Sequence, residues 1–287
     1  MGAQGTGLRP DPHDHDRAPA GAVARLLGKH VDRRTVLRSA AFMGALAAVG
    51  SPAETVALAA GVEIRKGELH SSYVPGPPLR WRVAVPKDAR ALVLALHGRD
   101  SSASYWFNEL DAPRIARETG LAIAAIDGRR TYWHPRAGSD APAMLTGEFL
   151  PLLAKQGLPT ERIGLTGVSM GGFGALWLAG ELGPARVFGV ATMSAALRRT
   201  YAGASQGAFD DPQDFARNSI FGRVDRLRGV PLWLACGTSD RFFPGNLDLA
   251  QRLPQARVAF AAGGHTTEFS RVYWGPAMSW LARLASA

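Results

Sequence analysis

Six short, largely apolar runs recur along most of the chain: Ala91–Leu96, Leu121–Ile126, Ile163–Val168, Val187–Met193, Pro231–Cys236 and Arg257–Ala261. Runs of this length are too short for core helices, and with few polar positions they read as strands buried on both faces. Helical patterns fall between and after them, over 111–119, 142–156, 171–182, 246–253 and 276–285. Two opening strands, Val62–Val74 and Leu79–Val85, are parted by the turn sequence Pro75-Gly-Pro-Pro78. Strands alternating with helices at this spacing predict an α/β domain over 60–287: a mostly parallel central sheet with helices on both faces. Residues 195–229 interrupt the alternation with polar, turn-rich sequence, and an insertion of that length is expected to form a lid or a pocket wall.

The remaining composition excludes several classes. The formal charge of +9 is carried by arginines scattered along the chain, with no basic helix and no basic run interleaved with aromatics, so nucleic acid is not an expected partner. Cys236 is the only cysteine; it permits no intrachain disulfide or multi-cysteine metal site, and its apolar run suits a small buried side chain. No metal or cofactor is expected. Residues 1–59 read as an address. A Gly-, Pro-, Asp- and His-rich start has the composition of a disordered segment, and Arg33-Arg34 precedes the apolar stretch 40–49. Ala57-Leu58-Ala59 then has the small-x-small form of a processing site. That order resembles a twin-arginine export signal cleaved near Ala59, and the apolar stretch is too short for a stable membrane span.

Gly167-Val-Ser169-Met-Gly171 matches the G-x-S-x-G pattern of the nucleophile elbow of the α/β-hydrolase fold, but so does Gly203-Ala-Ser205-Gln-Gly207. Context separates them. An elbow needs a strand, a sharp turn and a helix, so that the serine stands exposed at the strand's C-terminal end. Ser169 lies between the run Ile163–Val168 and the small-residue helix that starts at Gly171, whereas Ser205 follows polar sequence and precedes an Asp-Pro turn. Ser169 is therefore the expected nucleophile.

A serine hydroxyl needs a base to take its proton and a third group to orient that base. In an elbow-type hydrolase the chain order is serine, acid, histidine. His265 is the only histidine beyond Ser169, on a loop after Arg257–Ala261. Asp240 follows the run ending at Cys236 and is the expected acid. Asp225 precedes its strand, Asp248 falls in a predicted helix, and Glu268 is too near the base in sequence. The backbone N–H groups of Met170 and Arg99 are the expected oxyanion hole. His97 reads mainly as a structural loop residue. Together with Gly98, Trp133 and His134 it is also a candidate for contact with substrate, since the loops after the first two buried runs should rim the site. Arginines at 99, 129, 130, 136 and 241 flank the same region and suggest an anionic or sugar-rich substrate.

Gly167-Val-Ser-Met-Gly-Gly-Phe-Gly-Ala-Leu176 resembles the esterase family that includes esterase D, S-formylglutathione hydrolase, feruloyl esterases and the antigen 85 mycolyltransferases. Leu96-His97-Gly98, Tyr132-Trp133-His134-Pro135-Arg136, Cys236-Gly-Thr-Ser-Asp240 and Gly263-Gly264-His265 follow in the matching order, and the second of these resembles exported actinobacterial esterase-like proteins. The resemblance covers about residues 75–280 and implies cofactor-free cleavage of a small-molecule, lipid or glycan ester. Acyl transfer by the same triad is the alternative, and the fold retained for binding without catalysis, or adapted to peptides, is a more distant one.

Overall fold

A computed structural model of the protein describes residues 54–59 and 61–286. The disordered start and the twin-arginine segment expected before residue 54 lie outside the described residues. The apolar runs join one nine-stranded sheet. Its strands are β1 (Glu54–Ala59), β2 (Val62–Leu69), β3 (Leu79–Pro86), β4 (Ala91–Leu96), β5 (Leu121–Ile126), β8 (Ile163–Val168), β9 (Val187–Met193), β10 (Leu232–Gly237) and β11 (Arg257–Ala261). β6 (Pro135–Arg136) and β7 (Ser139–Asp140) form a separate two-stranded hairpin. The spatial order β1-β2-β3-β5-β4-β8-β9-β10-β11 reverses direction at β4. From β5 to β11 all pairs are parallel, and β1, β2 and β3 add antiparallel neighbours at one end. The expected processing point at Ala57–Ala59 therefore falls inside edge strand β1.

Period-two alternation splits the buried strand residues between two cores. Leu92, Leu94 and Leu96 of β4 join the core beneath the helix that follows β8, whereas Val93 and Ala95 join the opposite one. On the first face lie α3 (Ala141–Met144), a π-helical turn over Leu145–Phe149, α4 (Leu150–Lys155) and α5 (Met170–Arg186), which is broken at Gly183. α6 (Pro212–Asn218) and α7 (Phe243–Arg252) pack towards the same core. The opposite face carries α1 (Ser104–Asn108), α2 (Ala112–Thr119) and α8 (Thr267–Ala285). Residues 170–179 of α5 are buried in succession, as expected of a helix enclosed on all sides. Local signals set the helix ends: Asp111 caps α2 by accepting from Arg114 N–H, and Gly120 closes it at φ 69°.

The predicted helix over 142–156 is instead α3, the π-turn and α4 in one run, and α1, α6 and the β6–β7 hairpin have no counterpart in the sequence reading. Within 195–229, α6 and two 3₁₀ turns bury Leu197, Phe209, Ile220 and Leu227. Trp177 Nε1–H donates to Asn218 Oδ1 at 3.0 Å, and Arg136 Nε donates to Asp210 Oδ1 at 2.9 Å. The segment is a packed wall anchored to α5 and to the loop after β5.

Candidate active site

In an open α/β sheet, a crevice forms outside the C-terminal strand ends where the strand order reverses, here at β4 and its neighbours β5 and β8. The turn after β8 holds Ser169 at φ 55° and ψ −117°, a region that ordinary side chains avoid. Two glycines make this turn sterically feasible. A Cβ on Gly171 would sit 1.8 Å from Leu96 O, and one on Gly167 would sit 2.1 Å from Gly171 O. The turn is held by Ser169 N–H donating to Met193 O at 3.1 Å and Ala196 N–H donating to Ser169 O at 2.9 Å.

Side chains from three loops meet here. His265 Nε2 lies 3.0 Å from Ser169 Oγ, and His265 Nδ1 lies 2.9 Å from Asp240 Oδ2. A carboxylate only accepts, so Nδ1 carries the proton and Nε2 is left to accept from the serine hydroxyl. Asp240 is 3% exposed, and its Oδ1 accepts from Phe242 N–H at 2.8 Å. Burial pushes its carboxyl up, but His265, the nearby Ser194 hydroxyl and Phe242 N–H outweigh that and hold it below the usual carboxylate range. The Ser194 hydroxyl lies near it without making a hydrogen bond of standard geometry. Thr238 N–H to Ala261 O and Ser239 N–H to Gly263 O, at 2.8 and 2.9 Å, tie the aspartate loop to the histidine loop.

Met170 is the first residue of α5, so its N–H has no partner within the helix and sits at the positive end of the helix dipole. Loop 97–100 abuts the serine, since a Cβ on Gly98 would lie 3.5 Å from Ser169 Cβ. The cleft above has a volume of about 260 Å³, and Gly98, Arg99, Ser169 and His265 line it with Tyr105 and Tyr132. Among the described residues no cluster of His, Cys, Asp and Glu could hold a metal ion, and no helix is long and apolar enough to cross a membrane.

Three of the four residues expected to contact substrate lie behind the cleft lining. His97, Trp133 and His134 are each 0% exposed and do not line the cleft. His97 Nδ1–H donates to Gly98 O at 2.7 Å, and its Nε2 accepts from Gly128 N–H at 2.8 Å. Trp133 Nε1–H donates to His97 O at 3.1 Å. These bonds fix loop 97–100 from behind. Burial pushes the His97 imidazole down, against the pull of Gly98 O and Asp127. His134 lies 2.8 Å from Ala208 O through Nε2, beside the wall segment, and burial pushes it down as well. Of the four, Gly98 alone reaches the cleft, while the competing serine, Ser205, lines it from the wall segment.

Tyr105, Ser194 and Phe242 are among the cleft-lining residues that the sequence does not single out, whereas Tyr132 belongs to the aromatic segment expected at the rim. Asp127 is a further omission: its Oδ1 accepts from Ala103 N–H at 2.7 Å and pins the chain after β4. Tyr132 had a signal in the aromatic segment after β5, but only the turn's backbone decides which of its rings faces out. Cys236 lies beneath Asp240 with its thiol pushed up to about 12 by burial and by the Asp240 charge.

The model of the Esterase family, described as "Putative esterase", matches residues 126–285. No curated protein matches the chain. Three solved structures illustrate the likeness in fold. The fluorophosphonate-binding serine hydrolase FphF of Staphylococcus aureus is 17% identical and has a TM-score of 0.66, covering 77% of this chain and 98% of its own. A ferulic acid esterase is 17% identical at a TM-score of 0.67, covering 78% and 99%. An S-formylglutathione hydrolase from Agrobacterium tumefaciens is also 17% identical at 0.67, covering 80% and 98%.

Proposed function

The chain belongs to the Esterase family and is an ester hydrolase, and on that premise we propose that it acts through an acyl-enzyme on Ser169 with His265 as base and Asp240 as its orienting acid. The observation that carries this reading is the continuous relay from Asp240 Oδ2 through both His265 ring nitrogens to Ser169 Oγ, at 2.9 and 3.0 Å. Ser169 Oγ attacks the ester carbonyl carbon as His265 Nε2 takes its proton. Asp240 holds Nδ1–H and stabilises the imidazolium. The carbonyl oxygen, now negative, rests against Met170 N–H and Arg99 N–H. On collapse the C–O bond to the alcohol breaks, and the alcohol leaves with the proton from Nε2. Water repeats the sequence: Nε2 takes its proton, hydroxide attacks the acyl carbon, and Ser169 is regenerated as the acid departs. The family match favours water over an alcohol as the second acceptor.

Export before action is part of this reading, supported by Arg33-Arg34 ahead of the apolar stretch at 40–49. The first test is hydrolysis of 4-nitrophenyl esters of two to sixteen carbons by the full chain and by Ser169→Ala. The variant is expected to lose about 10⁴-fold or more in kcat/KM while keeping its fold. Equal rates in the two proteins would overturn the assignment of Ser169.

A further inference from the structure

Charge around the cleft is not evenly neutralised. Arg99 faces Asp100 at 3.5 Å and donates to Gln206 O, and Arg130 donates to the same aspartate. Arg129 donates to Pro75 O and Pro77 O, and Arg136 pairs with Asp210. Four of the arginines that flank the site in sequence are thus engaged in holding its loops. Arg241 is different. It lines the cleft beside His265, is exposed, and has no ion pair or hydrogen bond among the described residues.

Arg198, from the wall segment, is half-buried and lies outside the cleft lining but close to it. Its guanidinium carbon lies 4.7 Å from the Phe242 ring centroid, and that of Arg241 lies 5.2 Å from the same centroid. The two cations are therefore within about 10 Å of each other, both beside one ring. Arg198 Nε is buried without a hydrogen-bond partner, and the residue lines a small crevice that shares Tyr132 and Ser205 with the cleft. A buried guanidinium N–H without an acceptor costs free energy. Asp100 is the one acidic side chain lining the cleft, and Arg99 and Arg130 already engage it.

We propose that the ester cleaved at Ser169 carries a carboxylate, held by Arg241 and Arg198 beside the triad. The inference rests on the serine-esterase reading and narrows its substrate class to anionic esters. A guanidinium fork matches a carboxylate edge-on, so the substrate carboxylate would supply the acceptor that Arg198 Nε lacks.

The test uses the full chain and two matched pairs of esters. The alcohol-borne pair is 4-acetoxybenzoate and its methyl ester; the acyl-borne pair is mono-4-nitrophenyl succinate and its methyl ester. The readout is the anionic-to-neutral ratio of kcat/KM in the wild type, Arg241→Gln, Arg198→Gln and Arg241→Lys. For at least one pair, each glutamine variant is expected to lower that ratio about tenfold, mainly through the KM of the anionic ester. Arg241→Lys should keep most of it, and added salt should erode it in the wild type. Ratios unchanged within about twofold in both glutamine variants, with neutral esters still cleaved, would overturn the anionic substrate and leave the esterase reading standing. Failure to cleave any of the four esters would overturn both. Arg241 is exposed, so its variants test the idea even if Arg198→Gln proves unstable.

Discussion

Where β4, β5, β8 and β9 end, the chain turns through Asp100, Arg129, Tyr132, Trp133, Ser169 and Ser194, all at positive φ. Just before β5, β8, β9 and β10 begin, positive φ instead falls to Gly120, Gly157, Gly183 and Gly229. Glycine adopts this backbone without penalty, whereas other residues store roughly 1–3 kcal/mol each in the least populated regions. One end of the sheet is therefore built for low-energy reversal of the chain. The other accepts strain, and four of its six residues, Asp100, Tyr132, Ser169 and Ser194, line the cleft. Among the described residues the one non-glycine exception away from these strand ends is Asp111, whose side chain caps α2.

The contrast can be broken most sharply at Ser169. Replacing it with glycine is expected to abolish ester hydrolysis while raising thermal stability by about 1 kcal/mol, because the turn then suits its residue. Activity and melting temperature measured on one preparation would check both halves; a drop in stability would show that the serine is not strained. Next in size is Asp240→Asn, which keeps the shape but frees His265 to adopt the wrong tautomer. A fall in kcat of about 10⁴-fold is expected, with KM little altered.

Smaller effects belong to the buried histidines. Burial pushes His97 and His134 below 6.5, so the unfolded chain binds protons that the folded chain does not as pH falls below that value. Stability should hold above pH 6.5 and decline below it by at most ~1.4 kcal/mol per pH unit for each histidine, read as a falling unfolding midpoint. A midpoint that does not fall between pH 6.5 and 5 would contradict their burial as neutral groups. The smallest effect belongs to the opposite end of the sheet: Gly157→Ala, at φ 81° with open space around it, should cost about 1 kcal/mol and leave kcat/KM unchanged.

These same two ends explain what could be read from the sequence. The parallel strands were legible because β4, β5 and β10 lie wholly within the core and are apolar throughout. Ser169, Asp240 and His265 stood out because a glycine-flanked turn and chain order restrict the candidates. His97, Trp133 and His134 were drawn towards the substrate because a polar group in a rim loop looks the same whether it faces the cleft or supports it. The difference lies in partners such as Gly128 N–H and Ala208 O, remote in sequence. The π-turn at Leu145–Phe149 was hidden because its residues fit an ordinary helical pattern.

The packed state of residues 195–229 bears on kinetics. Phe209 stacks against Phe173 and His134, with ring centroids 5.6 and 5.0 Å away, so this wall is continuous with the core and does not hang over the cleft on a hinge. With Ser169 acting as proposed, an ester is expected to reach it without waiting for a cover to open. Progress curves should start without a lag, and rates should rise smoothly with substrate through its micelle-forming concentration, with no jump at an oil–water boundary.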